Sequence, residues 1–224
     1  MESLLTAEQK SIQSKNDYET AYALQQEKAG FERDMGWFGK YCFPKALAKD
    51  TPPFHRDIYK YLKDNETKRV LIAAPRGTAK STVCSLIFPL YKIAHKKPDD
   101  DLFMVIISES QAQSINFLSR IKYHLDHSDH FKSIYGDYSS VTAKRWTGTD
   151  IILKNGTRIV AVGTGQRVRG FIEGDTRPNV IIVDDFESEL NALTPEARTK
   201  NRKWMTEAVI PSLSDDGRII MIGT

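Results

Sequence analysis

The chain has 224 residues, room for one large domain with an added segment at about 150 residues per domain. Hydrophobic residues at 40% and charged residues at 27% exclude wholesale disorder and the collagen-like and mucin-like classes. Lys and Arg number 32 against 29 Asp and Glu, and the net charge of +3 permits a nucleic-acid partner without arguing for one. Two cysteines, Cys42 and Cys84, lack a CxxC spacing and encode neither a disulfide framework nor a zinc site. No apolar stretch approaches the ~18 residues of a membrane span, and the opening residues are too polar for a signal peptide. A soluble protein of a reducing cytoplasm is expected, with no membrane partner.

Residues 1–36 are rich in Glu, Gln and Lys and thin in apolar side chains, which predicts an amphipathic helical arm that needs another surface. From Trp37 to Phe54 aromatics broken by Pro44, Pro52 and Pro53 predict a docked, loop-rich entry. Val70-Leu71-Ile72-Ala73-Ala74 is a continuous apolar run stopped by Pro75, which suits a strand buried on both faces. Residues 80–95 predict a helix bent or interrupted at Pro89. Leu102 to Ile107 is the next buried strand, and Ile115, Leu118, Ile121 and Leu125 stand at helix spacing after it. Asn155-Gly156 between two apolar runs is a hairpin signal. Val180 to Val183 predicts a third buried strand, Thr194-Pro195 opens a helix that runs to about Ile210, and Arg218 to Ile222 is a fourth strand. Buried strands alternating with helices are the pattern of an α/β sheet with helices on both faces. A core strand meeting the chain end suggests that the natural protein continues.

The strongest chemical signal is Ala74-Pro75-Arg76-Gly77-Thr78-Ala79-Lys80-Ser81, directly after a buried strand and before a helix. The phosphate-loop pattern G-x-x-x-x-G-K-[ST] cradles phosphates on backbone N–H groups, reaches the outer phosphates with Lys and holds Mg²⁺ with the hydroxyl. Both end glycines are alanines here, so the literal pattern fails. Ala is nonetheless the smallest side chain, Gly77 keeps the loop flexible, and Lys80 and Ser81 stand where the chemistry needs them. A plain strand–turn–helix junction with an exposed Lys is the alternative.

Asp184 and Asp185 end the strand at Val180–Val183, at the sheet edge where α/β folds bind ligands. One carboxylate can hold Mg²⁺ and the next can polarise an attacking water. An acidic turn is the bland alternative, but two such signals at strand ends point to an ATPase-type site. Phe54, His55 and Arg56 after Pro53 suit an adenine pocket or, equally, a helix entry. Residues 163–170, with Arg167 and Arg169, form a flexible basic loop able to present an arginine to a neighbouring subunit, or a solvated turn. Ile222-Gly223-Thr224 closes the last strand with a hydroxyl at the edge where the γ-phosphate is expected, able to sense hydrolysis or simply to start a loop. His124, His127 and His130 read as a solvated helix end rather than a metal site.

These residues resemble the large terminase subunits of tailed bacteriophages, whose ATPase domains often carry a P-R-G-x-A-K-S-T loop. This chain has Pro75-Arg76-Gly77-Thr78-Ala79-Lys80-Ser81-Thr82. The likeness extends to Pro53-Phe54-His55, Arg169-Gly170, Ile182-Val183-Asp184-Asp185 and Ile222-Gly223-Thr224, over roughly residues 37–224. It implies a RecA-like P-loop ATPase domain of the additional-strand, catalytic-glutamate class over 37–224, after an arm at 1–36. It further implies a continuation into a metal-dependent nuclease domain absent here, so this chain is expected not to cleave DNA.

By the same resemblance, Lys80 with Ser81 or Thr82 holds phosphate and Mg²⁺, Arg76 is the variant loop arginine, and Asp184 holds the metal. Asp185 is the catalytic carboxylate in place of the commoner Glu, a methylene shorter, with Glu187 as substitute. Thr224 belongs to the coupling motif, and Arg169, Arg158 or Arg145 acts in trans. The implied partners are ATP, Mg²⁺, double-stranded viral DNA, the portal protein of the procapsid, the small terminase subunit and further copies in a ring, expected to be pentameric. The place of action is the cytoplasm of the infected bacterial host. A helicase-like ATPase and a non-hydrolysing nucleotide switch are the rival readings.

Overall fold

A computed structural model describes residues 7–49, 51–166, 168, 176–186 and 193–223. Helix α1 (Ala7–Arg33) is a long polar rod whose C-terminal part meets the core, with Leu24 packed against it and Phe31 fully buried. Asp34 caps α2 (Met35–Cys42) by accepting from Trp37 N–H at 3.0 Å, so Trp37 opens a helix rather than the expected loop-rich entry. The aromatic run misleads because its apolar residues sit at helical spacing: Met35, Phe38 and Cys42 are buried on one side. Helix α3 (Pro53–Lys63) starts with Pro at its first position, where no N–H is needed.

Strand β1 (Arg69–Ala73) leads through the loop to α4 (Lys80–Thr82), a π-helical turn (Val83–Ile87) and α5 (Phe88–Ala94), which form one rod. The irregularity expected at Pro89 falls just before it. Proline supplies no N–H and its ring crowds the carbonyl four residues back, that of Ser85, and a widened turn relieves that clash. Then follow β2 (Phe103–Ser108), α6 (Gln111–His127), α7 (Asp129–Tyr135), β3 (Arg145–Trp146), β4 (Asp150–Ile152), β5 (Arg158–Gly163), β6 (Val180–Asp184), α8 (Pro195–Trp204) and β7 (Arg218–Gly223). Helix α8 runs on through a π turn and a 3₁₀ turn to Ser212, close to the expected end.

The sheet has seven strands in the order β1-β7-β6-β2-β5-β4-β3. All pairs from β1 to β5 are parallel, and β4 joins β5 through the expected antiparallel hairpin at Asn155-Gly156. The apolar runs of β2 and β6 are buried throughout. Strand β1 corrects the reading: it is an edge strand, with Val70 and Ile72 buried on one face and Leu71 73% exposed on the other. A short apolar run cannot tell a central strand from an edge whose second face is open.

The larger core packs α2 to α7 against the face carrying Ile72, Ile106, Ile182 and Ile220. The smaller one packs Met205 and Val209 beyond α8 against Val105, Ile181 and Val183. Cys42 and Cys84 are free and buried. His124 also departs from the solvated reading: its ring lies 5.0 Å from that of Phe43, and burial pushes its pKa down to about 4. No helix among the described residues is long and apolar enough to cross a membrane.

Candidate nucleotide site

The parallel register brings the C-terminal ends of β1, β7, β6 and β2 to one pole of the molecule. Ala73 pairs with Gly223, and Ala74 N–H continues the ladder to Gly223 O at 3.2 Å. Asp184 pairs with Ile222 on one side and with Ser108 on the other. The loop and the acidic pair, separate in sequence, therefore share one edge.

The loop is folded on itself by its own polar groups. Thr78 Oγ1 donates to Pro75 O at 2.7 Å, and Lys80 Nζ approaches the same carbonyl at 3.5 Å. Gly77 has φ 81° with open space beside it, a conformation side chains resist. Ala79 also has a left-handed φ, 56°, at the position where the phosphate-loop pattern carries its second glycine. The backbone demand of the pattern thus persists, and Ala79 meets it at a strain of about 1 kcal/mol. Among the described residues, the only other non-glycine with positive φ is Asp185 (47°), in the same pole; Asp tolerates this region better than most. Asp185 N–H donates to Ile222 O at 3.1 Å, which fixes the turn while leaving the side chain exposed.

Lys80 is only 6% exposed and Asp184 1%. Burial raises the pKa of Asp184, an effect opposed by hydrogen bonds from Ser85 and Ser81; Asp185 adds to the rise and Lys80 counters it. Ser81 Oγ donates to Asp184 Oδ1 at 3.0 Å, a contact across 103 residues of sequence. Ser108, the strand neighbour of Asp184, has a buried hydroxyl without a partner. A hydroxyl, a carboxylate and an orphaned buried hydroxyl are hard oxygen groups that fit Mg²⁺. Among the described residues no cluster of three or more His, Cys, Asp or Glu could hold a metal. A cation at Ser81 and Asp184 would therefore complete its shell with phosphate and water oxygens.

Beside the loop, flanked by Gly77, Thr78 and Ala79, lies a cavity of about 610 Å³. Phe54 and His55 line it together with Leu47, Thr51 and Pro52. His55 is buried and its Nε2–H donates to Thr78 O at 2.7 Å, tying the cavity wall to the loop. Arg56 is exposed and does not line the cavity. Arg76 is exposed on the loop, and Thr82 is half-buried on α4.

Arg158 and Arg145 both bind Asp150: Arg158 Nη2 and Arg145 Nη1 each lie 2.8 Å from its Oδ2. Arg158 opens β5, so it stands at the opposite pole from the loop. Arg167, Arg169, Gly170, Glu187 and Thr224 lie outside the described residues. The start of the basic loop does reach the site's pole: Thr164 Oγ1 donates to Ser108 O at 3.0 Å, and Trp204 Nε1 to Gln166 O at 2.9 Å.

Three contributors escape the sequence reading: the segment around Leu47 and Thr51, Ser108 and Ser85. The one available signal is for Ser85, four residues after Ser81 and hence on the same helix face.

No family model matches the chain, and no curated protein sequence matches it. Among solved structures, the large terminase of bacteriophage HK97 superposes with a TM-score of 0.50 at 12% identity, covering 79% of this chain and 33% of that one. An arginine-to-alanine variant of the Thermus phage P74-26 large terminase ATPase domain superposes with a TM-score of 0.50 at 14% identity, covering 81% of this chain and 68% of that one. The chain thus spans about a third of the HK97 protein. In its fold, this chain is similar to the ATPase domains of phage large terminases.

Proposed function

We propose that this chain is the ATP-hydrolysing motor domain of a tailed-phage large terminase, which powers movement of double-stranded DNA into the procapsid. The observation that carries the reading is the 3.0 Å contact between Ser81 of the loop helix and Asp184 of the acidic strand, at the C-terminal edge of a parallel sheet. The insertion of β7 between β1 and β6 supports the additional-strand class of RecA-like ATPase.

In this reading ATP lays its base in the cavity by Phe54 and His55, and its phosphates on the N–H groups of Pro75-to-Thr82 loop residues and the side chain of Lys80. Mg²⁺, held through Ser81 and Asp184, supplies charge neutralisation at the phosphates. Asp185, exposed on its turn, accepts a proton from the attacking water, with Glu187 as the substitute carboxylate. Lys80 and Arg76 offset negative charge on the phosphoryl group. Arg169 is the preferred arginine in trans, because Arg158 and Arg145 are engaged by Asp150 in their own chain. Thr224 relays hydrolysis to DNA. The partners are double-stranded viral DNA, the portal, the small terminase subunit and further copies in a pentameric ring, in the cytoplasm of an infected bacterium.

The test is ATP turnover with Mg²⁺ against protein concentration for the wild type, Lys80→Ala and Asp185→Ala. Turnover rising more than linearly, and lost in both variants, supports the motor reading. Tight ATP binding without turnover at any concentration, even with DNA and portal added, favours a nucleotide switch. Strand unwinding would favour a helicase. Activity retained in Asp185→Ala moves the catalytic role to Glu187.

A further inference from the structure

One buried polar group beside this site has no task in the reading above. Ser85 is fully buried, within the π-helical turn Val83–Ile87, where Phe88 N–H reaches back five residues to Val83 O. Its hydroxyl donates to Asp184 Oδ2, while Ser81 serves Oδ1. Each oxygen of one buried carboxylate thus has its own hydroxyl donor from one helix face. A serine within a helix commonly bonds a carbonyl of its own preceding turn. Ser85 instead reaches a strand 99 residues away.

We infer that Ser85 is a positioning residue for the divalent cation that accompanies ATP. This rests on the nucleotide reading of the site. The two hydroxyls differ in what a cation would ask of them. Ser81 opens the helix behind the loop and would share its oxygen, giving a lone pair to the cation and its proton to Oδ1. Ser85 lies a turn deeper and stays on Oδ2. It therefore keeps the carboxylate from rotating while Oδ1 faces the cation or its water. Groups that orient a metal's ligands in this way affect metal affinity about 10- to 100-fold.

The experiment is equilibrium binding of a fluorescent ATP analogue, first in EDTA and then across a Mg²⁺ titration, for the wild type, Ser85→Ala and Ser85→Cys. Ser85→Ala is expected to raise the Mg²⁺ midpoint about 10- to 100-fold, with affinity in EDTA within about twofold of the wild type. Ser85→Cys, near in size with a weak S–H donor, is expected to fall between the two. A purely structural serine would lower the melting temperature and leave the Mg²⁺ midpoint in place; unshifted midpoints in folded variants overturn the assignment. Where Ser85→Ala fails to fold, Ser85→Cys decides in the same way. Absence of analogue binding by the wild type overturns the nucleotide reading and this assignment together, whereas normal wild-type binding with unshifted variants overturns this assignment alone.

Discussion

The two poles of the sheet each bury a cation, and they treat it differently. At the N-terminal pole Arg218 is 5% exposed, and its guanidinium donates to Thr67 O at 3.0 Å and to Leu62 O and Tyr61 O at 2.8 Å. At the C-terminal pole Lys80 is as deeply buried, yet among the described residues its ammonium makes only a long 3.5 Å approach to Pro75 O. One pole uses a buried charge to tie the end of α3 to β7. The other holds a weakly bonded charge and two strained backbone positions around a carboxylate. Buried charges are normally well partnered, so the pole whose cation is weakly held is the one for which a ligand is proposed.

That contrast breaks most visibly under matched substitutions. Arg218→Met should cost about 3–5 kcal/mol in urea unfolding, because three carbonyls lose charged donors. Lys80→Met should leave the unliganded fold within about 1 kcal/mol of the wild type, because it removes a poorly partnered buried charge and keeps the volume. Equal losses in both would erase the distinction.

A smaller effect belongs to neither pole. His124, packed on Phe43, is held near a pKa of about 4 against an ordinary 6.5. A base with a depressed folded pKa contributes stability above 6.5 that is lost as pH falls towards 4. Discounted for partial exposure, the loss is about 2 kcal/mol. His95, lowered by the same cause, adds to it. His124→Phe should flatten this acid slope in unfolding measured from pH 7 to pH 4, and an unchanged slope would remove His124 as its source.

The smallest expected effect is Ala79→Gly, which should stabilise the fold by about 1 kcal/mol by relieving the left-handed alanine. A destabilised variant would show that the alanine side chain is needed at this turn.

Much of the site was legible in the sequence because its chemistry is local. Lys80 and Ser81 follow an apolar run, Asp184 and Asp185 end another, and both runs became parallel strands meeting at one edge. Periodicity also located α6, Thr194-Pro195 located the start of α8, and Asn155-Gly156 located the hairpin. What stayed hidden depends on neighbours far along the chain. The edge position of β1 is set by strand order, which a five-residue run does not encode. The helix at Trp37 was masked by aromatics that read as a loop between prolines. Ser85 and Ser108 are ordinary serines until the register sets them beside Asp184. The engagement of Arg145 and Arg158 by Asp150 is likewise a tertiary fact.

The most direct test of the central claim is thermal unfolding with and without MgATP, for the wild type and Lys80→Met. At 100-fold excess over Kd, ligand binding stabilises the native state by about 2.7 kcal/mol. The account predicts a clear rise in melting temperature for the wild type, and none for Lys80→Met despite its intact unliganded stability. No rise in the wild type, or the same rise in both, would contradict the claim that this pole is a nucleotide site.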